Sequence, residues 1–132
     1  MMAEGYYKLA RQSGGRGAFA AVRLAVEESS PPTSTTVVES ELIAEHYIPA
    51  AKTGIEYAHE QLILEGQHPP GVNVTILEIQ YTTADTSIMF VVYAACLAYC
   101  DALGITLKRP VLFDGENHQT IFPHGCPKDE YD

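Results

Sequence analysis

The most informative stretch of this sequence for its fold is Arg11-Gln12-Ser13-Gly14-Gly15-Arg16-Gly17. Its glycines allow positive φ angles, and glycines in such a run favour a tight turn. Residues 5–11 contain Tyr6, Tyr7 and Leu9 without a helix cap, which is typical of a short strand. Residues 18–28 alternate, and one of their two faces is wholly apolar: Ala18, Ala20, Val22, Leu24 and Val26. The pattern predicts a hairpin whose second strand buries that apolar face.

Downstream of the hairpin, the pattern changes to a helix. Residues 29–34 are rich in Ser and Pro and break regular structure, whereas residues 35–38 are β-branched. This favours a short edge strand at 35–38, although its partner is unclear. A helix begins near Ile48 and Pro49, since proline is tolerated in the first turn, and it ends before Gly66. Its apolar residues recur at helical spacing: Ile48, Ala51, Ile55, Ala58 and Leu62.

The next part of the chain adds a strand, a second helix and a last strand. Alternation from residue 72 to about residue 81 predicts the strand. The second helix can be capped by Asp85 or Thr86, and Gly104 stands just after its end. Residues 108–113 are a candidate last strand.

These elements follow the order β-β-(β)-α-β-α-β. Two helices packed on one face of a mixed β-sheet form an α+β layer architecture. With 132 residues the chain suits a single domain, and 46% hydrophobic residues can build its core. We therefore predict one domain over residues 1–113, followed by a loose C-terminal tail over residues 114–132.

The charge of the chain is unevenly distributed. The net charge is −9, yet the N-terminal segment carries Lys8, Arg11, Arg16 and Arg23 against Glu4 alone. Because phosphate contact energy comes from Lys and Arg, an acidic chain is a poor non-specific ligand for nucleic acids. Only the basic N-terminal end can face a phosphate backbone, and taken alone these cations are more simply explained as solvated side chains.

Cysteine usage and the N-terminus predict a cytoplasmic protein. Three cysteines, an odd number, do not make the even set of a secreted disulfide framework. No basic segment followed by an apolar run stands at the N-terminus, so no signal peptide is expected. Cys96 and Cys100 are four apart in the predicted second helix. They are either small buried hydrophobic side chains or a pair able to approach one another.

Taken alone, the glycine-rich turn is a weak functional signal, because a plain hairpin turn explains it. It is not a nucleotide-binding P-loop, since neither Gly-Lys-Ser/Thr nor a helix follows it. No GTPase motif occurs elsewhere in the chain.

Four blocks in sequence order nevertheless resemble the fourth domain of elongation factor G. The first is a strand entering Gln12-Ser13-Gly14-Gly15-Arg16-Gly17, similar to the family's Gln-Ser/Thr-Gly-Gly-x-Gly. The second is Tyr47-Ile48-Pro49-Ala50-Ala51, similar to Tyr-Ile-Pro-Ala-Val. The third, Asp85-Thr86-Ser87-Ile88-Met89, resembles Asp-Ser-Ser-Glu-Met, and the fourth, Pro110-Val111-Leu112-Phe113, resembles Pro-Val-Leu-Leu.

The resemblance implies the ribosomal protein S5 domain 2-like fold, with a left-handed β-α-β crossover in place of the usual right-handed one. It also implies a non-catalytic binding module without a cofactor and without GTPase activity of its own. In this family the domain enters the decoding site of the small ribosomal subunit, where its tip loops touch messenger and transfer RNA. By position, the ribosome- or RNA-binding residues are Gln12, Ser13, Gly14, Gly15, Arg16 and Gly17. Glycines let backbone amides approach phosphate or sugar, and Arg16 can pair with a phosphate.

The chain departs from the family pattern at three places. Ala18 stands where the family has a glutamine after the last glycine. The family's second tip loop carries a histidine, whereas the corresponding segment here is shorter and reads Tyr81-Thr82-Thr83-Ala84. The second helix is apolar at positions where the family has Glu, Lys and other polar residues.

An apolar stripe on the second helix requires a cover. Its members are four residues apart: Ile88, Val92, Cys96 and Cys100. The opposite side of the helix is apolar too, and exposing four such side chains would forfeit about 1 kcal/mol or more each. Either the tail beyond residue 113, with Ile121 and Phe122, folds over this stripe, or two chains pair through it as a homodimer.

Two alternatives to an RNA-facing module remain. One is a small enzyme or ligand-binding protein on the same fold, which needs a pocket with converging polar groups. The other is a protein-interaction module that uses the apolar helix. The tail carries His118, His124 and Cys126, but their spacing fits no standard metal site, so no metal is expected. No membrane partner is expected either, because no apolar run is long enough to span a bilayer.

Overall fold

A computed structural model describes residues 2–13, 16–28, 34–38, 45–67, 71–109, 111–114 and 119–122. The strands are β1 (Met2–Ser13), β2 (Arg16–Glu28), β3 (Ser34–Val38), β4 (Val72–Gln80), β5 (Leu112–Asp114) and β6 (Gln119–Ile121). The helices are α1 (Ile48–Leu64), preceded by a 3₁₀ turn over Glu45–Tyr47, and α2 (Ile88–Leu103). No helix in these ranges combines the length and apolar character needed to cross a bilayer.

Four strands form one mixed sheet in the order β1-β2-β4-β3. The β1–β2 and β2–β4 pairs are antiparallel, whereas β3 lies parallel to β4. β4 is therefore the partner that the sequence left unassigned for the edge strand. The mixed sheet and the two helices confirm the predicted α+β class. The left-handed sense of the β3-α1-β4 crossover stays a prediction from the family resemblance.

β2 buries the face that its alternation predicts. Each of the five apolar residues on that face is at most 4% exposed: Ala18, Ala20, Val22, Leu24 and Val26. β2 pairs with β1 on one side and with β4 on the other, so its buried face lies in the interior of the sheet surface that faces the core.

β4 starts with the predicted alternation and then changes phase. The β2–β4 register shifts between Arg23, which pairs with Glu78, and Leu24, which pairs with Ile76, so that Leu77 is the extra residue. Ile79 is consequently buried, with 2% exposure. Continued alternation would put Glu78 on the face of Val72, Val74 and Ile76, but the register irregularity reverses the faces and places Ile79 there.

The two helices end as the glycine signals predict, but α2 starts differently. Gly66 after α1 and Gly104 after α2 both have positive φ, 81° and 67°. The predicted α2 cap at Asp85 or Thr86 is wrong. Ser87 is the N-cap, and its side-chain oxygen accepts a hydrogen bond from the Phe90 N–H at 3.3 Å.

α2 is the central helix of the core, because it packs against β1, β2 and α1. Gly54 of α1 lies so close to α2 that a Cβ there would overlap the Val92 carbonyl oxygen and come within 3.1 Å of the Cys96 nitrogen. The two helix backbones thus meet without an intervening side chain at this point.

The predicted last strand is not part of the main sheet. β5 pairs antiparallel with β6 in a separate two-stranded sheet, in which Leu112 lies opposite Ile121. Phe122 is 7% exposed, and its ring contacts that of Tyr57 in α1 with centroids 5.2 Å apart. β5 crosses the predicted domain end at residue 113, and β6 and the buried Phe122 lie in the predicted tail, whereas the division at residue 113 itself stays a prediction.

Candidate functional site

The glycine-rich turn lies at one end of the β1–β2 hairpin. Gln12 pairs with Gly17, and Ser13 pairs with Arg16, so that two residues connect the strands. Two central glycines suit the hairpin turns that require positive φ. Gln12 is exposed. Gly14, Gly15 and the side chains of Ser13 and Arg16 lie outside the described part of the structure.

The loop of residues 81–87, between β4 and α2, is held against the same end of β2. The Phe19 N–H donates to the Asp85 carbonyl at 3.0 Å, and the Thr86 hydroxyl donates to the Phe19 carbonyl at 2.6 Å. Within the loop, the Asp85 N–H donates to the Thr82 hydroxyl at 3.0 Å. The segment that replaces the family's second tip loop therefore lies beside the first. We call residues 12–17 and 81–87 together the tip.

The carboxylate of Asp85 lies directly over Gly17. A Cβ at Gly17 would come within 2.6 Å of both Cγ and Oδ2 of Asp85. The last glycine of the motif therefore leaves room for an acidic side chain. Sequence reasoning missed this contact because it assigned Asp85 to the helix cap, and no local pattern links these two segments.

A cluster of three rings lies at the start of loop 81–87 and consists of His46, Tyr47 and Tyr81. The His46 and Tyr47 centroids are 4.2 Å apart, and the Tyr81 centroid is 5.6 Å from His46 and 5.4 Å from Tyr47. Tyr47 is buried, whereas His46 is exposed and Tyr81 is 46% exposed. Gln80, the residue before Tyr81, pairs with Ala21 of β2, which lies about 13 Å along the strand from Gly17. The aromatic surface therefore adjoins the tip.

The cations of the N-terminal segment have different surroundings. The Arg23 guanidinium is 3.6 Å from Glu78 and 3.8 Å from Glu4, and it lies 4.6 Å from the centroid of the Tyr6 ring. Arg11 is exposed near the end of β1, and its guanidinium donates to the Ala10 carbonyl at 3.3 Å. Arg23 thus belongs to a surface network on the sheet, whereas Arg11 is a cation of the tip end.

The predicted oligomer or tail-packing face on α2 is mostly covered within one chain. Val92 and Cys96 have no exposed surface, Cys100 is 7% exposed, and Ile88 is 37% exposed. The close approach of α1 at Gly54 brings the two helix backbones together beside Val92 and Cys96. A second chain is not required to bury these two residues, and within this chain both α1 and the tail strand β6 contact α2.

The two α2 cysteines are free thiols. The interaction with Cys100, together with burial, raises the pKa of Cys96. The same interaction lowers the pKa of Cys100. Both descriptions derived from the sequence, buried small side chains and a close pair, therefore apply.

The described ranges hold no candidate metal site. No three His, Cys, Asp or Glu side chains converge there. The tail residues His118, His124 and Cys126 lie outside these ranges.

The mixed sheet with two helices and two adjoining loops at one end defines an α+β domain of a recognisable class. The sequence profile of elongation factor G, domain IV, matches residues 2–104, and the chain therefore belongs to this family. A crystal structure of a protein from Thermus thermophilus is similar to it, with a TM-score of 0.66 and 27% sequence identity. The match covers 78% of this chain but 16% of that one, so this chain spans a small part of that protein's length.

Proposed function

We propose that this chain is a non-catalytic binding module of the translation-factor type, and that its tip contacts the ribosome through RNA. The observation that carries the proposal is the hydrogen bonding of Phe19 to Asp85 and Thr86, at 3.0 and 2.6 Å. These bonds hold both loops at one end of the domain. Membership of the elongation factor G domain IV family supports an RNA-facing role for that end. It also supports a cytoplasmic location of the protein.

The chemistry of the tip suits RNA better than the rest of the surface does. Gln12 and Arg11 are exposed. Glycine has no side chain, so a glycine-rich turn can let an RNA strand approach backbone amides. The exposed rings of His46 and Tyr81 provide faces on which bases can stack. The rest of the chain is acidic, with a net charge of −9 overall, so its other faces repel a phosphate backbone.

Co-sedimentation with small ribosomal subunits tests the proposal. At low salt the wild-type chain is expected to pellet with the subunits, and Arg16→Ala is expected to weaken the association. Loss of one phosphate contact should reduce the slope of log affinity against log salt by about 0.7–0.9. Lys52→Ala, which removes an exposed cation from α1, is the matched control and should have no effect. Absence of any ribosome association at low salt would refute the proposal.

A second candidate, small-ligand binding, is favoured by a cavity of about 400 Å³ between β1 and the end of α2. Three of its polar lining groups, however, already hydrogen-bond within the protein. Asp101 accepts a hydrogen bond from the Tyr6 N–H at 3.0 Å, and the Tyr7 hydroxyl lies 3.3 Å from that of Tyr93. Thermal-shift screening against metabolites tests this candidate. A ligand that raises the melting temperature of the wild type, but not of a Leu97→Trp variant with a filled cavity, would favour it.

A further inference from the structure

A second, smaller cavity opens at the tip itself. Its volume is about 270 Å³. It is lined by residues from β1, β2 and the loop before α2: Ala10, Arg11, Gln12, Ala18, Phe19 and Asp85. Residues with arginine, carboxylate, amide and aromatic side chains thus border one small concave site.

The charged groups of this cavity do not neutralise each other. Within the described ranges, the ion pairs involve Arg23, and none joins Arg11 to Asp85. The Arg11 guanidinium, with five N–H donors, uses one of its nitrogens to donate to Ala10. The cavity therefore offers a strong donor and a strong acceptor that are separate from one another.

The backbone that carries the acceptor is held by hydrogen bonds. The Asp85 carbonyl accepts from Phe19 at 3.0 Å, and the Asp85 N–H donates to Thr82 at 3.0 Å. Gly17 provides the space into which the carboxylate fits. Because the backbone of Asp85 is already held, only its side chain has to be ordered when a ligand binds, which limits the entropic cost of binding.

We propose that this cavity binds one guanine base of an RNA strand, an inference that rests on the proposed RNA-facing role of the tip. Guanine presents two adjacent N–H donors, N1–H and the N2 amino group, which match the two oxygens of the Asp85 carboxylate. Its adjacent edge carries the O6 and N7 acceptors, the pair that an arginine binds best. Phe19 supplies an apolar surface for the ring. Adenine, cytosine and uracil lack the pair of adjacent donors.

The preference for guanine follows from the two acceptor oxygens of the Asp85 carboxylate. Replacing the N2 amino group by hydrogen, as in inosine, leaves one carboxylate oxygen without its donor. A bidentate contact of this kind discriminates between bases by about tenfold or more. The Asp85→Asn variant should lose the preference, because its side-chain NH₂ faces a donor of the base.

Fluorescence anisotropy with labelled hexaribonucleotides tests the inference. The probes are UUUGUU and the same strand with inosine or adenine in place of guanine. The wild type is expected to bind the guanine strand about tenfold more tightly than the other two. Asp85→Asn should bind all three alike, whereas Glu56→Gln, with the same charge change on an exposed site of α1, should keep the preference.

Three results with these strands would overturn the inference: equal wild-type affinity for the three strands, no binding of any strand, or an unchanged preference in Asp85→Asn. Gly17→Ala provides a second variant that moves the carboxylate without removing its charge, and it should reduce the preference as well. A competition arm with free guanosine monophosphate separates the sources of the base. Displacement as tight as that by the RNA strand would assign the site to a free nucleotide and overturn the RNA assignment.

These outcomes are separate from those of the ribosome experiment. Ribosome association without guanine preference would remove the base site and leave the proposed function in place. Guanine-selective strand binding without ribosome association would refute the proposed function and leave the base site in place.

Discussion

Gly17 at the tip and Gly54 between the helices both leave space for another group, but the groups differ. A Cβ at Gly54 would meet backbone atoms of α2, whose helix is fixed by the core around it. A Cβ at Gly17 would meet the end of the Asp85 side chain. A side chain can rotate away, whereas a packed helix must move as a unit. The helical layer is therefore the part that determines stability, and the tip is the part that can change without unfolding the domain.

The largest effect is expected from a charge placed inside the helical layer. Val92→Asp buries an unpaired carboxylate at a position with no exposure, so it should cost at least about 3 kcal/mol or prevent folding. Ile88→Asp, at the 37% exposed end of the same stripe, should cost about 1 kcal/mol. Urea denaturation measures both. If Val92→Asp instead gave a stable monomer from a wild-type dimer, the stripe would be an interface between chains.

A smaller loss is expected from Gly54→Ala. The added methyl group overpacks the contact between α1 and α2, which costs about 1–3 kcal/mol. Equilibrium unfolding in urea measures it. Glu56→Ala, two residues along the same helix and exposed, is the control and should stay within about 0.5 kcal/mol of the wild type. A Gly54→Ala variant as stable as the control would show that the helices are not in close contact.

Gly17→Ala should separate stability from binding. Because the Asp85 side chain can rotate away, the free energy of unfolding should fall by less than about 1 kcal/mol. Ribosome co-sedimentation should weaken, since the tip surface is rearranged. A stability loss as large as that of Gly54→Ala would show that the tip is as rigidly packed as the helical layer.

The smallest effect is a dependence of stability on pH that His59 of α1 produces. Its Nδ1 is 2.6 Å from the Tyr99 hydroxyl, and burial lowers its pKa. The unfolded chain, with the ordinary histidine pKa of about 6.5, therefore binds more protons than the folded chain near that pH. Stability is full above the unfolded pKa and falls as the pH drops through it.

Melting temperatures between pH 7.5 and 5.5 measure this effect. His59→Gln should lose part of the acid-induced decrease, whereas His46→Gln, at an exposed site, should retain it. An identical pH profile for the wild type and His59→Gln would contradict the assignment.

Local patterns in the sequence predicted the parts of the fold that local patterns determine. The alternation in β2, the proline-started α1 and the glycine ends of both helices were confirmed because spacing and backbone chemistry fix them. The register shift between Arg23 and Leu24 and the separate β5–β6 sheet were not predictable, since both depend on pairing between distant segments. Phe122 likewise finds Tyr57 only after the chain has folded.

The candidate site divides in the same way. The turn at residues 12–17 is visible in the sequence because glycine and arginine occur within a short run. Asp85 over Gly17 and the ring cluster of His46, Tyr47 and Tyr81 join residues from different loops. No periodicity or motif encodes those distances, and only the paired strands bring the residues together.

Tethered cleavage of ribosomal RNA tests the central claim, that the tip is the RNA-facing end, most directly. An iron chelate is attached to Gln12→Cys at the tip, or to Leu64→Cys at the far end of α1, which is 17 residues or about 25 Å long. Gln12 is exposed and Leu64 is 68% exposed, so both attachment sites are accessible. Cys126→Ser removes a competing thiol. The claim predicts cleavage of small-subunit RNA from position 12 and little from position 64. Equal cleavage from both positions, cleavage from position 64 alone, or none from position 12 would contradict it.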